Sequence, residues 1–158
     1  MYQRILVPID GSPTSNQGLD EAIKLSKLTG ASLRLIHIVD PLTFATGFES
    51  YAVYAGDLIP RMEEAGKQIL DQGKARAQAS GVKVDSLLFD GLAARVSETV
   101  IEQAKDWGAD LIVIGTHGRR GVGRFVMGSD AEQILRLAHV PVLLVRAPEV
   151  KGHADATV

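Results

Sequence analysis

The apolar run Leu111-Ile112-Val113-Ile114 passes directly into Gly115-Thr116-His117-Gly118-Arg119-Arg120-Gly121-Val122-Gly123-Arg124-Phe125-Val126-Met127-Gly128-Ser129. A short strand thus empties into a glycine-rich loop that ends where a helix starts. Glycines allow backbone N–H groups to approach an anion closely, and a helix N-terminus adds a favourable dipole. Arg119, Arg120 and Arg124 interrupt the same loop. If the chain has one chemical site, this stretch is where it lies.

Outward from this loop, strand and helix patterns alternate. Arg4 to Ile9 is a short apolar run of the kind a buried parallel strand shows. Asp10-Gly11 turns the chain, Ser12 suits an N-cap, and Pro13 suits the first helical position. Leu19, Ala22, Ile23 and Ser26 mark the helix that follows, with Gly30 placed to end it. Ser32 to Ile38 reads as the second strand. Asp40 to Pro60, with Pro41, Gly47, Gly56 and four aromatic residues, reads as a partly ordered excursion. Either it has a functional use or its aromatics cover the core edge. Met62, Ala65, Ile69, Gly73 and Ala77 mark the second helix, and Val82 to Phe89 the third strand, whose initial alternation suits a sheet edge.

Ala93, Val96, Val100 and Ala104 give a third helix, and Asp110 to Ile114 the fourth strand. After the glycine loop, Ser129 with Glu132 three residues on reads as a capping box opening a fourth helix. Val140 to Val145 is the fifth strand. Right-handed crossovers then predict an α/β fold: a single domain with a five-stranded parallel sheet, order 3-2-1-4-5, and helices on both faces. The domain is expected over 1–148, with a flexible tail over 149–158. In that order the chain reverses across the sheet between strands one and four, and ligands of such sheets sit beyond the strand ends there. Asp10-Gly11-Ser12 and Gly115-Thr116-His117-Gly118 leave those two strands.

Composition narrows the class. A chain of 158 residues with 46% apolar content fits an ordinary globular domain. The formal charge of −2 gives nucleic acid or an anionic membrane surface no overall attraction. Cysteine is absent, so disulfides, thiolate metal sites and thiol catalysis are excluded together. The sequence shows no secretory signal and no apolar run near the roughly 20 residues of a membrane helix, so a soluble cytoplasmic protein is expected.

Known phosphate motifs fail on the residues. Gly118 and Gly123 have Walker spacing, but Arg124-Phe125 stands where Lys-Ser or Lys-Thr belongs. The dinucleotide fingerprint G-x-G-x-x-G is missing altogether. What the loop offers is Gly115, two residues, Gly118, nine residues, then Gly128-Ser129. This spacing closely resembles the nucleotide-binding signature of the universal stress protein family. The resemblance runs from Ile5-Leu6-Val7-Pro8-Ile9-Asp10-Gly11-Ser12, through His37-Ile38-Val39-Asp40, to Val140-Pro141-Val142-Leu143-Leu144-Val145.

The resemblance implies an adenine nucleotide alpha-hydrolase-like fold and the ATP-motif subclass. It implies that adenine lies near Ile38, that Asp10 approaches the ribose or a metal such as Mg²⁺, and that the glycine loop holds phosphates. The implied nucleotide contacts are Pro8, Ile9, Asp10, Ile38, Gly115, Thr116, Gly118, Arg119, Gly128, Ser129 and Asp130. It further implies a homodimer through the last strand, Val140 to Arg146. ATP, ADP or AMP is the expected ligand.

Blander roles compete at each residue. Asp10-Gly11 is an ordinary turn dipeptide. Ser129 is a competent cap with or without a nucleotide, and Thr116 is an ordinary loop hydroxyl. The three arginines form a solvated surface unless one touches phosphate. His117 reads as a surface residue and His37 as structural, and the four histidines lack metal-ligand spacing. With no Walker lysine and no evident general base, no residue is assigned a catalytic role, and binding ranks above turnover. The expected function is a regulatory stress protein whose bound nucleotide tunes conformation or assembly. A slow ATPase or phosphotransferase and a nucleotide-free interaction module are the alternatives.

Overall fold

The computed structural model describes residues 1–41, 48–91, 94–116 and 127–146, with residues 48–55 described by their backbone. Strand and helix alternate through it: β1 (Arg4–Pro8), α1 (Pro13–Thr29), β2 (Ser32–Val39), α2 (Phe48–Ala79), β3 (Val84–Asp90), α3 (Val96–Trp107), β4 (Leu111–Gly115), α4 (Ser129–Leu137) and β5 (Val142–Val145). The strands form one parallel sheet in the order β3-β2-β1-β4-β5. The expected order is therefore found.

Alternation along the strands sorts the core into two layers. Ile5, Val7, Leu33, Leu35, Leu111 and Val113 pack under α1 and α2 with Leu19, Ala22 and Leu70. Leu6, Ile36, Ile112 and Ile114 pack under α3 and α4 with Val100, Ala104 and Ile134. Central β1 is apolar on both faces because both are covered. β3, at the border, alternates between partly buried and exposed positions over most of its length.

Helix ends follow local chemistry in α1. Ser12 is its N-cap, accepting from the Ser15 N–H at 3.2 Å, with Pro13 beginning the helix. Gly30 closes it at φ 75°, a left-handed conformation suited to glycine.

Two expectations are corrected. α2 begins at Phe48, not near Met62, and carries Pro60 inside it. The irregular reading of 40–60 therefore fails over 48–60. Proline in a helix interior costs about 3 kcal/mol. Half-buried Leu58 and Ile59 nevertheless continue the stripe of Met62, Gly66, Ile69 and Leu70 upstream at helical spacing. Tertiary burial overrides the breaker. The second correction is at α4, whose N-cap is Gly128 rather than Ser129, with no side chain capping the turn. The capping box does not form: Glu132 pairs with Arg136 instead, at 3.2 Å. β5 is also two residues shorter at its start than expected. Residues 149–158, the expected tail, lie outside the described residues. Among the described residues, no helix is long and apolar enough to cross a membrane.

Candidate nucleotide crevice

The ends of β1, β2 and β4 and the start of α4 meet at the edge of the sheet where the strand order reverses. Ile9 extends the β1 ladder, its N–H donating to the Ile36 carbonyl at 2.8 Å. Asp10 follows. Asp40 occupies the corresponding place after β2, and Thr116 after β4. Alternation carries Asp10, Asp40 and Thr116 to the face covered by α3 and α4. Electrostatics agree. Partial burial, then the charges of Asp40 and Asp10, hold the Asp130 carboxyl above the usual carboxylate range, although Asp130 is exposed overall. Asp130, at the start of α4, therefore feels the carboxylates that follow β1 and β2.

Between them lies an apolar floor. Pro8 and Ile38 are only partly buried, on adjacent strands and on the α3–α4 side of the sheet. Ile114 continues this layer on β4. A flat aromatic ring could bury apolar area here while its edge met exposed strand-end backbone.

The glycine loop is closed at its base. The Gly128 N–H donates to the Thr116 carbonyl at 2.8 Å, and the Thr116 N–H donates to Val145 at 3.0 Å. These bonds bring the α4 N-terminus to the tip of β4. The first amides of a helix lack intrahelical partners, and the N-cap here, Gly128, has no side chain to take them. Ser129 and Asp130 form this first turn. The Thr116 hydroxyl is buried and, among the described residues, has no hydrogen-bond partner.

The strand tip of β1 is held firmly. The Asp10 N–H donates to Ser15 Oγ at 3.0 Å, and Asp10 Oδ1 accepts from the Ser12 N–H at 2.8 Å. Gly115 has a packing reason as well. A Cβ there would lie 2.7 Å from the Thr14 carbonyl carbon and oxygen, so β4 and α1 approach by lacking a side chain.

Of the sequence-derived site residues, Pro8, Ile9, Asp10, Ile38, Gly115, Thr116, Gly128, Ser129 and Asp130 are gathered at these neighbouring strand and helix ends. Gly118 and Arg119 lie outside the described residues. Ile9 points into the α1–α2 core rather than the crevice, and contributes through its backbone. Asp40 was missed as a site residue. Its signal was available, because it stands just past β2 as Asp10 stands just past β1.

Metal chemistry has a narrow basis here. Among the described residues, no three His, Cys, Asp or Glu side chains form a metal-holding group. An ion carried by phosphates needs fewer protein ligands, since Mg²⁺ is commonly held by one or two carboxylates plus phosphate oxygens, and Asp10 is a carboxylate at the crevice. A separate cleft of about 500 Å³ opens on the opposite side, between α1 and α2, where Asn16, Gln72 and Arg76 line it with Asp10 at its rim.

Residues 1–146 match the Universal stress protein family. The chain belongs to that family. Universal stress protein MJ0531 of Methanocaldococcus jannaschii is 34% identical over 150 residues, covering 94% of this chain and 85% of the relative. A universal stress protein family structure from Burkholderia pseudomallei is 33% identical with a TM-score of 0.69, covering 92% of this chain and 97% of that one. The universal stress protein of Archaeoglobus fulgidus in complex with dAMP shares the fold at 22% identity, with a TM-score of 0.63 and coverage of 91% and 98%. The sheet order and helix placement are those of the adenine nucleotide alpha-hydrolase-like fold.

Proposed function

We propose that this universal stress protein binds an adenine nucleotide, foremost ATP, in the crevice between Pro8, Ile38 and the start of α4. The observation that carries this reading is the uncapped α4 N-terminus bonded to the tip of β4, where the strand order reverses. Adenine stacks on Pro8 and Ile38, and Asp10 accepts from the sugar hydroxyls. The α4 amides, with Gly118 and Arg119 of the loop, take the phosphates. The dAMP complex of the Archaeoglobus fulgidus relative supports an adenylate as the ligand class.

Charge decides the form of the ligand. Like charges about 6 Å apart repel by about 3 kcal/mol at an effective dielectric of 20. A bare triphosphate beside Asp10, Asp40 and Asp130 meets that repulsion more than once. Mg²⁺ carried on the phosphates, with Asp10 beside it, removes most of it. ATP therefore enters as its Mg²⁺ complex, and AMP binds without the ion.

The role is regulatory, with bound nucleotide tuning conformation or assembly in a cytoplasmic stress response. Binding outranks turnover because Arg124-Phe125 stands where the lysine and hydroxyl of a Walker loop would be. Mass spectrometry of nucleotide released from freshly purified protein tests the ligand. Release of an adenine nucleotide supports the reading, and a flavin or nicotinamide in its place overturns it. ATP hydrolysis that is appreciable and lost in Gly118→Arg would favour the phosphotransferase alternative.

Assembly follows from the border strand. β5 pairs with β4 on one side, and its four residues are only half-buried. Such an edge is a pairing liability unless covered. Val140 to Arg146 pairs with its twin across a two-fold axis. Sedimentation at tens of micromolar should show a dimer, and a clean monomer contradicts this.

A further inference from the structure

One peptide group at the crevice is held by side chains at both ends. The carbonyl of Ile9 takes a hydrogen bond from His37 Nδ1 at 2.7 Å, and the N–H of the same peptide, belonging to Asp10, donates to Ser15 Oγ at 3.0 Å. Because a carbonyl only accepts, His37 must carry its proton on Nδ1. The ring is buried on β2, 28 residues from Ile9 in sequence. Room for it comes from α2, since a Cβ on Gly66 would lie 2.6 Å from His37 Cδ2.

We propose that His37 is a positioning residue for nucleotide binding, acting through the Ile9–Asp10 peptide to fix where the Asp10 carboxylate stands. Residues just past a strand end ordinarily have freedom to rotate. Here the peptide plane is set from the β2 side by His37 and from the α1 side by Ser15. The carboxylate is then set by the Ser12 N–H, which itself begins α1. A clamp from two elements fixes the direction of Asp10 before a ligand arrives, lowering the ordering cost of binding. The inference rests on the proposed adenylate reading of the crevice and names what aligns its sugar contact.

The test is calorimetric titration of the full chain with Mg²⁺-ATP, in a double-mutant cycle between His37 and Asp10. His37→Leu should weaken binding about tenfold in the wild-type background, the scale of one well-placed hydrogen bond. In an Asp10→Ala background the same substitution should change affinity by less than about twofold, since its target is gone. His37→Asn, whose amide can stand near the Nδ1 position, should restore binding, and His37→Gln should not. The Asn and Gln pair decides the matter if His37→Leu does not fold. Equal losses in both backgrounds, or Asn and Gln variants that bind alike, overturn the positioning role. Wild-type protein that takes up no adenylate overturns the crevice reading and this inference with it. Binding by wild type with no change in His37→Leu overturns the inference alone.

Discussion

The backbone of Thr14, at the start of α1, stands 2.7 Å from where a side chain on Gly115, at the end of β4, would begin. Gly18, one turn further along α1, faces the same strand end: a Cβ there would lie 3.3 Å from the Gly115 amide. Helix and strand thus touch backbone to backbone beside the proposed crevice. A glycine readable as part of a ligand loop is therefore also required by the apo fold.

Gly115→Ala should destabilise the protein without any ligand. The opposing atoms are backbone and cannot swing away, and overpacking of this kind costs about 1–3 kcal/mol. Gly56→Ala is the control. Among the described residues nothing lies within 4 Å of a Cβ there, within α2, so alanine should stabilise by about 0.5–1 kcal/mol. Urea unfolding of the nucleotide-free variants measures both. An unchanged midpoint for Gly115→Ala would mean that the glycine serves only the ligand.

Thr116→Val should separate stability from binding. Among the described residues the buried hydroxyl lacks a partner, so replacing it by a methyl should raise apo stability by about 1 kcal/mol. The same variant should bind Mg²⁺-ATP more weakly, because the proposed nucleotide site loses that hydroxyl. Lower apo stability in Thr116→Val contradicts this account.

Asp130 gives a pH signature. Its folded-state carboxyl is raised, so its penalty is absent below the ordinary carboxylate range and grows as pH rises through the raised value. An acidic residue in the first turn of a helix would otherwise be favourable. Partial burial and the charges of Asp40 and Asp10 outweigh that gain. Asp130→Asn should therefore raise the unfolding midpoint at pH 7, by less than about 1 kcal/mol after solvent screening, and leave it unchanged near pH 3. Thermal scans at the two pH values check it, and a gain at pH 3 equal to that at pH 7 contradicts it.

Most of the architecture was legible in the chain because its signals are local. The buried run Ile5 to Val7, the alternating residues of β3 and the Ser12-Pro13 start each announce their element within a few positions. The sheet order then follows from handedness. Errors arose where distant contacts decide. Pro60 reads as a breaker, yet burial of Leu58 and Ile59 carries α2 through it. Ser129 reads as a cap, but the bond from Gly128 to Thr116 moves the helix start by one residue. The crevice was legible as a place, from Asp10 and the glycine spacing. The hold of His37 on Ile9 was not, since it needs Gly66 of a third element to leave space for the ring. The packing role of Gly115 was hidden in the same way.

The central claim is that the crevice at the β1 and β4 tips binds adenine nucleotide, and calorimetric unfolding against ATP concentration tests it most directly. With Mg²⁺ present, stability should climb with the logarithm of ATP, reaching about 2.7 kcal/mol at one hundred times the dissociation constant. An unfolding temperature that stays flat up to millimolar Mg²⁺-ATP, in nucleotide-stripped protein, would contradict it.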